Sequence, residues 1–298
     1  MTGIVSSRVA AATASLAPVT DFYFNSRYAE RRGAPGVADF TFGNPQEFPL
    51  TGLVDALHKH ADPQDKNWYA YKTSEAEATA FLADSLGREL GLDFEPEDIA
   101  MTPGAFGAIA LAFRLLLSPG DEVTIPLPGW FCYGTVLAAE NATAVQVKLD
   151  YRNFDLDLAA LDAAIGPRTK IVVVNSPHNP TGRIYPRKQL EALAELLERA
   201  SARVGHRIFL LSDEPYRRLR FDGNAFVSPA AVYPWTLIDY SYGKVLLAPG
   251  QRLGYLAVSP LMPRAERNAL REAFFAAQVS LGWSFASALM QHSVPDLE

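Results

Sequence analysis

The chain of 298 residues is long enough for one large α/β domain or two smaller ones. Its 49% hydrophobic and 20% charged residues are ordinary for a folded globular protein, so disorder is not indicated. A net charge of −6 gives no electrostatic reason to expect nucleic acid or a membrane as partner. The single cysteine, Cys132, excludes an intramolecular disulfide, and the N-terminal segment lacks the apolar centre of a secretory signal. We therefore expect a cytoplasmic protein.

The first sixty residues predict isolated elements. Residues Ile4 to Leu16 form a short helix or arm in this prediction, and Asp39 to Pro45 a strand that ends in a turn. Leu50 to His60 follows as a helix. Its His58 and His60 are two positions apart and face different sides, so no metal site is predicted.

An aromatic loop, Asn67 to Ser74, precedes a second helix that runs from Glu75 to Leu90. Ser74 with Glu77 three residues later fits a capping box at the start of this helix. Gly91 is placed to end it.

From residue 98 onward, short apolar runs alternate with helical stretches. The runs predict strands at Ile99–Thr102, Glu122–Leu127, Ala144–Leu149, Lys170–Asn175, Arg207–Ser212, Thr236–Tyr240 and Tyr255–Ser259. Helices are clearest at Phe106–Leu117, Leu158–Ile165, Lys188–Ala202 and Pro263–Ala277. Such alternation implies right-handed crossovers and a sheet covered on both faces. The predicted fold class is therefore α/β, a three-layer, mostly parallel seven-stranded sheet with helices on both faces.

The loop between the last two predicted strands carries an amine, a hydroxyl and a guanidinium. Lys244 lies just beyond a buried run, where desolvation lowers the pKa of an amine and makes it a nucleophile toward a carbonyl. Ser241 and Arg252 are groups that bind phosphate. This combination suggests a carbonyl cofactor that carries a phosphate. The alternative is a surface loop with a solvated lysine and arginine.

Ligands of an open parallel sheet bind outside the carboxyl ends of its strands, so the residues after each strand are candidates. Gly104, Ala105 and Phe106 open a helix whose free amides can bind a phosphate, unless they are only a helix cap. The segment matches neither dinucleotide nor nucleoside-triphosphate motifs.

Three further strand ends carry an aromatic ring, an amide and a carboxylate. Trp130 can stack on a planar ring, although core packing is the usual role of such a side chain. Asn179 can donate to a phenolic oxygen, or it belongs to an ordinary turn. Asp213 ends an apolar run and needs a cationic partner such as a protonated ring nitrogen, unless it caps a helix. The whole set matches the needs of pyridoxal 5′-phosphate.

The chain resembles the class I/II, aspartate-aminotransferase-like group of fold-type-I pyridoxal-phosphate enzymes over about residues 39–259. The strongest motifs are Asn-Ser-Pro-His-Asn-Pro-Thr-Gly at 175–182, Ser-Asp-Glu-Pro-Tyr at 212–216, and Ser-Tyr-Gly-Lys with Gln-Arg-Leu-Gly-Tyr within 241–255. The resemblance implies an aminotransferase that moves an amino group between an amino acid and a 2-oxo acid through a lysine aldimine.

The same resemblance assigns roles to residues. Lys244, Asp213 and Tyr216 would be catalytic, with Lys244 on the cofactor aldehyde and Asp213 at the ring nitrogen. Asn179 and Tyr216 would bond the phenolic oxygen, and Trp130 would stack on the ring. The phosphate ligands would be Gly104, Ala105, Phe106, Ser241 and Arg252.

Two more positions concern the substrate and the partner subunit. Gly43 and Asn179 would meet the substrate, Gly43 through its backbone at the carboxylate. Tyr71 stands where the family's tyrosine reaches into the partner's site, which implies a homodimer. No nucleic acid or membrane partner is expected.

The chain departs from the family pattern in two ways. Ala76 stands where the family usually has glycine. Only 54 residues follow Lys244 (298 − 244), whereas family members continue further and there hold the arginine that pairs with the substrate carboxylate. We therefore expect an N-terminal arm and part of a small domain at 1–48, the pyridoxal-phosphate-binding large domain at 49–298, and no C-terminal small-domain segment.

Two other functions fit the same residues. A lyase or synthase on this fold would use the same cofactor site, because the site does not decide the fate of the carbanion. A non-catalytic cofactor-binding module is the other alternative.

Overall fold

A seven-stranded sheet organises the computed structural model, which describes residues 3–45, 47–283 and 285–298. Its strands are β1 Ile99–Thr102, β2 Glu122–Leu127, β3 Thr143–Lys148, β4 Thr169–Asn175, β5 Phe209–Asp213, β6 Thr236–Ser241 and β7 Gly254–Val258. Their order in the sheet is β1-β7-β6-β5-β4-β2-β3. Strand β7 is antiparallel to both neighbours and the other pairs are parallel. The predicted mostly parallel, seven-stranded sheet is confirmed.

Helices precede the sheet, connect its strands and follow it. They are α1 Ser7–Asn25, α2 Arg27–Arg31, α3 Thr51–Ala61, α4 Ala76–Leu90, α5 Gly104–Leu116, α6 Tyr133–Ala139, α7 Leu158–Ala164, α8 Arg187–Val204, α9 Tyr242–Val245, α10 Arg264–Leu281, α11 Ala288–His292 and α12 Val294–Leu297. Among the described residues, no helix combines the length and apolar character needed to span a bilayer.

The sheet separates two apolar cores. On β1, Ala100 packs into one core, while Ile99 and Met101 pack into the other, because neighbouring residues of a strand face opposite sides. The first core includes buried residues of α5 and α8, and the second includes those of α3 and α4. Both faces of the sheet are therefore covered by apolar side chains.

Two local predictions are wrong. Residues 39–45 form no strand, because Asp39 accepts hydrogen bonds from the Thr41 amide at 2.9 Å and the Tyr28 hydroxyl at 2.9 Å, which turn the chain locally. Ser74 does not cap α4, because its hydroxyl accepts from the Met101 amide at 3.0 Å. Gly91 ends α4 in the left-handed conformation, as predicted.

Helix α1 is longer than its prediction. It extends from Ser7 to Asn25 and passes through Pro18, whereas the sequence indicated an end near Leu16. It packs against α6, so tertiary contact compensates for its weak local signal.

Candidate active site

One cavity of about 510 Å³ opens where the carboxyl ends of the parallel strands meet. Residues that follow β1, β2, β4, β5 and β6 all contribute to its wall. Among the predicted site residues, those lining it are Gly43, Ala105, Phe106, Trp130, Asn179, Asp213, Tyr216, Ser241, Lys244 and Arg252. Residues separated by up to 209 positions in the sequence (252 − 43) thus share one pocket.

Lys244 lies on α9, a single turn that begins directly after β6. The Ser241 hydroxyl starts this turn by accepting from the Gly243 amide at 3.3 Å. Lys244 is half-buried, and burial lowers the pKa of its amine, as does the nearby positive charge of Arg252. The negative charge of Asp213 acts in the opposite direction. A larger fraction of Lys244 is therefore neutral and nucleophilic than for a solvated lysine.

A glycine lies against the reactive amine. A Cβ atom built on Gly43 would lie 3.1 Å from Nζ of Lys244. This close approach places the loop around Gly43 directly at the amine and leaves little room there for a larger residue.

Asp213 ends β5 at the bottom of the cavity and is buried. Its Oδ2 accepts a short hydrogen bond from the Tyr133 hydroxyl. Its Oδ1 has no hydrogen-bond partner among the described residues. Burial raises the pKa of Asp213, whereas hydrogen bonds and the charge of Lys244 lower it. A buried carboxyl oxygen without a donor, at the wall of a cavity, fits a protonated ring nitrogen.

The turn after β4 is held by amide side chains. Asn175 accepts from the Asn179 amide at 2.6 Å and donates to the Asp213 carbonyl at 2.8 Å. Nδ2 of Asn179 lies 3.4 Å from the Tyr216 hydroxyl. The turn therefore places two hydrogen-bonding groups, from Asn179 and Tyr216, side by side at the cavity wall.

Gly104 and Arg252 lie close together at the start of α5 and form a candidate phosphate site. Gly104 has φ +80°, and a Cβ on it would lie 3.0 Å from Nη2 of Arg252. Arg252 is fixed by bonds to the carbonyls of Pro249, at 2.8 Å, and Pro103, at 3.0 Å. The first amides of α5 have no partner within the helix. Free amides, the Ser241 hydroxyl and a fixed guanidinium together suit a phosphate.

Trp130 forms part of the cavity wall beside the aromatic rings of α5 and α6. Its ring meets those of Phe106 and Tyr133 edge-on, with centroids 4.9 and 5.3 Å away. Perpendicular neighbours fix the plane of the indole. That it stacks on a cofactor ring stays a prediction.

Two predicted site residues, Gly104 and Tyr71, do not line this cavity; Gly104 lies beside Arg252 at its edge, whereas Tyr71 does not. The side chain of Tyr71 is 89% exposed and does not line the cavity of its own chain. Its predicted role in a partner subunit stays a prediction.

Sequence reasoning missed Tyr133, Asn175 and Asp239 near the site. Tyr133 starts α6 and has the sequence context of a core aromatic ring, and Asn175 has that of an ordinary strand end. Asp239 carried a usable signal, because a carboxyl inside the apolar run of β6 is costly to bury.

The α/β fold and the cavity residues fit the requirements of a pyridoxal-phosphate site, and comparison with known proteins identifies the family. The model of the family "Aminotransferase class I and II" matches residues 35–294, so the chain belongs to this family. Members of this family use pyridoxal phosphate.

Similar proteins support this assignment. The aspartate/prephenate aminotransferase of Thermus thermophilus is 37% identical over 227 residues, which are 76% of this chain and 57% of that protein. A crystal structure of an aminotransferase from Eubacterium rectale matches with a TM-score of 0.84 at 29% identity, over 99% of this chain and 72% of the other. The structure of Thermus thermophilus aspartate aminotransferase with maleate gives a TM-score of 0.77 at 28% identity, over the same shares. The chain thus spans less than two thirds of the length of the curated relative.

Proposed function

We propose that this chain is a pyridoxal-phosphate-dependent aminotransferase that moves an amino group between an amino acid and a 2-oxo acid. One observation carries the proposal: a depressed-pKa lysine, a buried carboxylate and a phosphate cradle share one cavity. The family match supports the same activity.

When bound, pyridoxal phosphate supplies an aldehyde that captures amines and a protonated ring that withdraws electrons from the bonds at Cα. Lys244 would hold the aldehyde and, once released, would carry the proton of the substrate Cα on its Nζ. Its lowered pKa suits this exchange, because a neutral amine can accept a proton. Asp213 would hold the ring proton by its charge.

The remaining residues would bind and orient. Arg252, Ser241 and the α5 amides of Gly104, Ala105 and Phe106 would hold the phosphate. Asn179 and Tyr216 would bond the phenolic oxygen, and the fixed plane of Trp130 would support one face of the ring. Orientation of this kind contributes to rate because it aligns the bond to be broken.

On the substrate side, the backbone of Gly43 would meet the carboxylate, and Asn179 would also contact the substrate. Gly43 lies against Lys244, so a group bound there would lie beside the reactive amine. Several relatives are named as aspartate aminotransferases. Aspartate is therefore the first amino donor to test.

We include a homodimer in the proposal, with Tyr71 serving the site of the partner subunit. Tyr71 is 89% exposed, and apolar rings on the N-terminal side, among them Phe24 and Phe40, are also exposed. Such a surface is suited to a partner. A cytoplasmic location accords with the single cysteine, Cys132.

The central experiment traps the cofactor. Protein loaded with pyridoxal phosphate is reduced with borohydride, digested and examined by mass spectrometry. The adduct is expected on Lys244 and should be missing in Lys244→Ala. The matched control is Lys188→Ala, which removes an exposed lysine of α8 and should leave the adduct in place. An adduct on a different lysine would refute the assignment.

A second measurement separates transamination from the lyase and binding-only alternatives. Mixing loaded protein with aspartate should convert the cofactor absorbance to that of the pyridoxamine form and release a 2-oxo acid. Asp213→Asn should lower this rate by several orders of magnitude, because the ring loses its charged partner. Absorbance that does not respond to any amino acid would point to a binding module instead.

A further inference from the structure

A second carboxyl group lies directly behind the cavity. Asp239 on β6 is the register partner of Asp213 on β5, and the Glu214 amide donates to the Asp239 carbonyl at 3.0 Å. Partners in a parallel pair point to the same face of the sheet. Asp239 is fully buried and does not line the cavity itself.

The groups around this carboxyl pair do not supply enough hydrogen-bond donors for its oxygens. Both oxygens of Asp239 and Oδ1 of Asp213 lack a hydrogen-bond partner within the described chain. Glu214 is occupied by the hydroxyls of Ser212 and Ser228. On the other side, β7 places the apolar Leu256 beside Asp239.

Two ionised carboxylates in contact and out of water would repel each other strongly. A single proton between them removes the repulsion and supplies a hydrogen bond, since a protonated carboxyl donates and a carboxylate accepts. Each carboxylate oxygen has two lone pairs, so Asp213 can accept from Asp239 as well as from a ring nitrogen. The surroundings of the two carboxyls favour Asp239 as the group that carries this proton. Burial raises the pKa of both, but the Tyr133 hydroxyl and the charge of Lys244 oppose this rise at Asp213, whereas the charges of Asp213 and Glu214 add to it at Asp239, whose pKa lies well above its usual range.

We propose that Asp239 is a positioning residue that stays protonated, donates to Asp213, and so keeps Asp213 ionised toward the ring nitrogen. The part that concerns the ring rests on the proposed function. The shared proton does not, because it follows from the buried pair alone.

Loss of the hydrogen bond from Asp239 should change the basicity of Asp213. A carboxylate that loses a hydrogen bond becomes more basic, so Asp213 would compete for the ring proton and bind the cofactor less well. A hydrogen bond to a charged group contributes enough for about a tenfold to hundredfold change in affinity.

Two substitutions of Asp239 distinguish the effect of its hydrogen-bond donor from the effect of its size. Asp239→Asn keeps an N–H donor toward Asp213 at nearly the same size, whereas Asp239→Leu fills the space without a donor. Asp98→Asn is the control, because Asp98 is also a buried carboxyl but pairs with Arg267 and Arg271 at β1, away from the cavity. It should lower stability without a change in the bound cofactor.

The test has one arm without cofactor and one arm with it. In the cofactor-free protein at neutral pH, infrared difference spectra should show a protonated carboxyl band that both Asp239 variants lose and that Asp98→Asn keeps. Asp239 should also make a contribution to stability that falls with rising pH above about 4, because the folded state holds a proton that the unfolded chain releases, so both Asp239 variants should gain stability relative to the wild type as the pH rises. In the loaded protein, Asp239→Leu should weaken cofactor binding by about tenfold to a hundredfold and shift the pH at which the cofactor absorbance changes. Asp239→Asn should bind within about threefold of the wild type.

Two results would overturn the inference: the absence of a carboxyl band specific to Asp239, or equal cofactor affinity and equal absorbance titrations in Asp239→Asn and Asp239→Leu. Failure of the proposed function looks different. In that case the infrared band would be present while no variant, and not even the wild type, binds pyridoxal phosphate.

Discussion

The Tyr133 hydroxyl donates a short hydrogen bond to Oδ2 of Asp213, and both side chains are buried. This bond joins the start of α6 to the end of β5, where Asp213 lines the cavity. Burial and the charge of Asp213 raise the pKa of Tyr133 well above its usual range, so the phenol keeps its proton as the donor. Tyr133 therefore acts as a donor that favours the ionised form of Asp213.

The first prediction is that Tyr133→Phe weakens cofactor binding by about tenfold or more and destabilises the fold by about 1–3 kcal/mol. The reason is that a buried carboxyl oxygen loses its donor, and such a loss costs the desolvation of the acceptor. Titration of the variant with pyridoxal phosphate, followed by absorbance, measures the first effect. Denaturant unfolding of the cofactor-free protein measures the second.

Tyr185→Phe is the matched control for this substitution. The Tyr185 hydroxyl is also buried, but it has no hydrogen-bond partner in the described part of the chain. Its removal should leave cofactor affinity unchanged and should not cost stability. If both variants lose affinity equally, the effect of Tyr133 is not due to its bond to Asp213.

The second prediction concerns the phosphate cradle. Gly104→Ala forces a side chain into the left-handed region and places its Cβ 3.0 Å from Nη2 of Arg252. The backbone strain costs about 1–2 kcal/mol, and the guanidinium must move. We expect a roughly tenfold smaller preference for pyridoxal phosphate over pyridoxal, measured by the affinity for each, because only the first carries the group that Arg252 would bind.

Gly205 offers a control with the same backbone conformation and open space around it. Its φ is +81°, close to the +80° of Gly104, but a Cβ atom built on Gly205 would meet no atom within 4 Å. Gly205→Ala should lose similar stability and keep the full preference for the phosphorylated compound. An equal loss of that preference in both variants would mean that strain, and not displacement of Arg252, weakens the site.

The third prediction is a pH effect at the turn that carries Asn179. Burial lowers the pKa of His178 to about 4 from an ordinary value of 6.5. Between these values the unfolded chain binds a proton on this residue that the folded chain does not, so the contribution of His178 to stability falls as pH decreases from about 6.5 toward 4. The cost between pH 7 and pH 5 is about 1–2 kcal/mol from this group.

His178→Gln removes this titration, so its unfolding free energy should rise relative to that of the wild type by about 1–2 kcal/mol from pH 7 to pH 5. His58→Gln, at an exposed position of α3, should keep the wild-type dependence. Denaturant unfolding at the two pH values gives the comparison. Identical pH dependences for wild type and His178→Gln would contradict the assignment.

The sheet could be predicted from sequence because its strands are short apolar runs that alternate with amphipathic helices. Runs such as Ile171 to Val174 are buried on both faces, and this requirement leaves a continuous apolar signal. The arm was harder to predict. Helix α1 owes its length to packing on α6, and residues 39–45 are turned by the side chain of Asp39, which no periodicity shows.

The cavity residues that follow strands could be predicted because a polar side chain directly after an apolar, buried strand is costly unless it has a partner or binds a ligand. Lys244 and Asp213 are examples, because each follows an apolar run in the sequence and lines the cavity in the structure. Tyr133 could not be singled out, because its partner lies 80 positions away and only the fold joins them. The charge state of the Asp213–Asp239 pair likewise depends on a strand register that sequence patterns do not specify.

The last prediction tests Tyr71 by subunit complementation. Lys244→Ala and Tyr71→Phe should each be impaired alone, the first because the amine is missing and the second because the partner's site lacks the tyrosine hydroxyl. If Tyr71 serves the partner's site, a mixed dimer contains one complete site, in which Lys244 of one subunit meets Tyr71 of the other. Mixing the two variants under subunit exchange should therefore restore activity above that of either alone, up to the level set by one site per mixed dimer.

Mixing Lys244→Ala with Asp213→Asn is the control, because both residues line the cavity of one chain and each subunit would stay defective. Tyr71 is 89% exposed in its own chain, which leaves the hydroxyl free to reach a neighbour. No gain on mixing the Tyr71 and Lys244 variants, together with a shift to monomer by sedimentation, would refute the shared site.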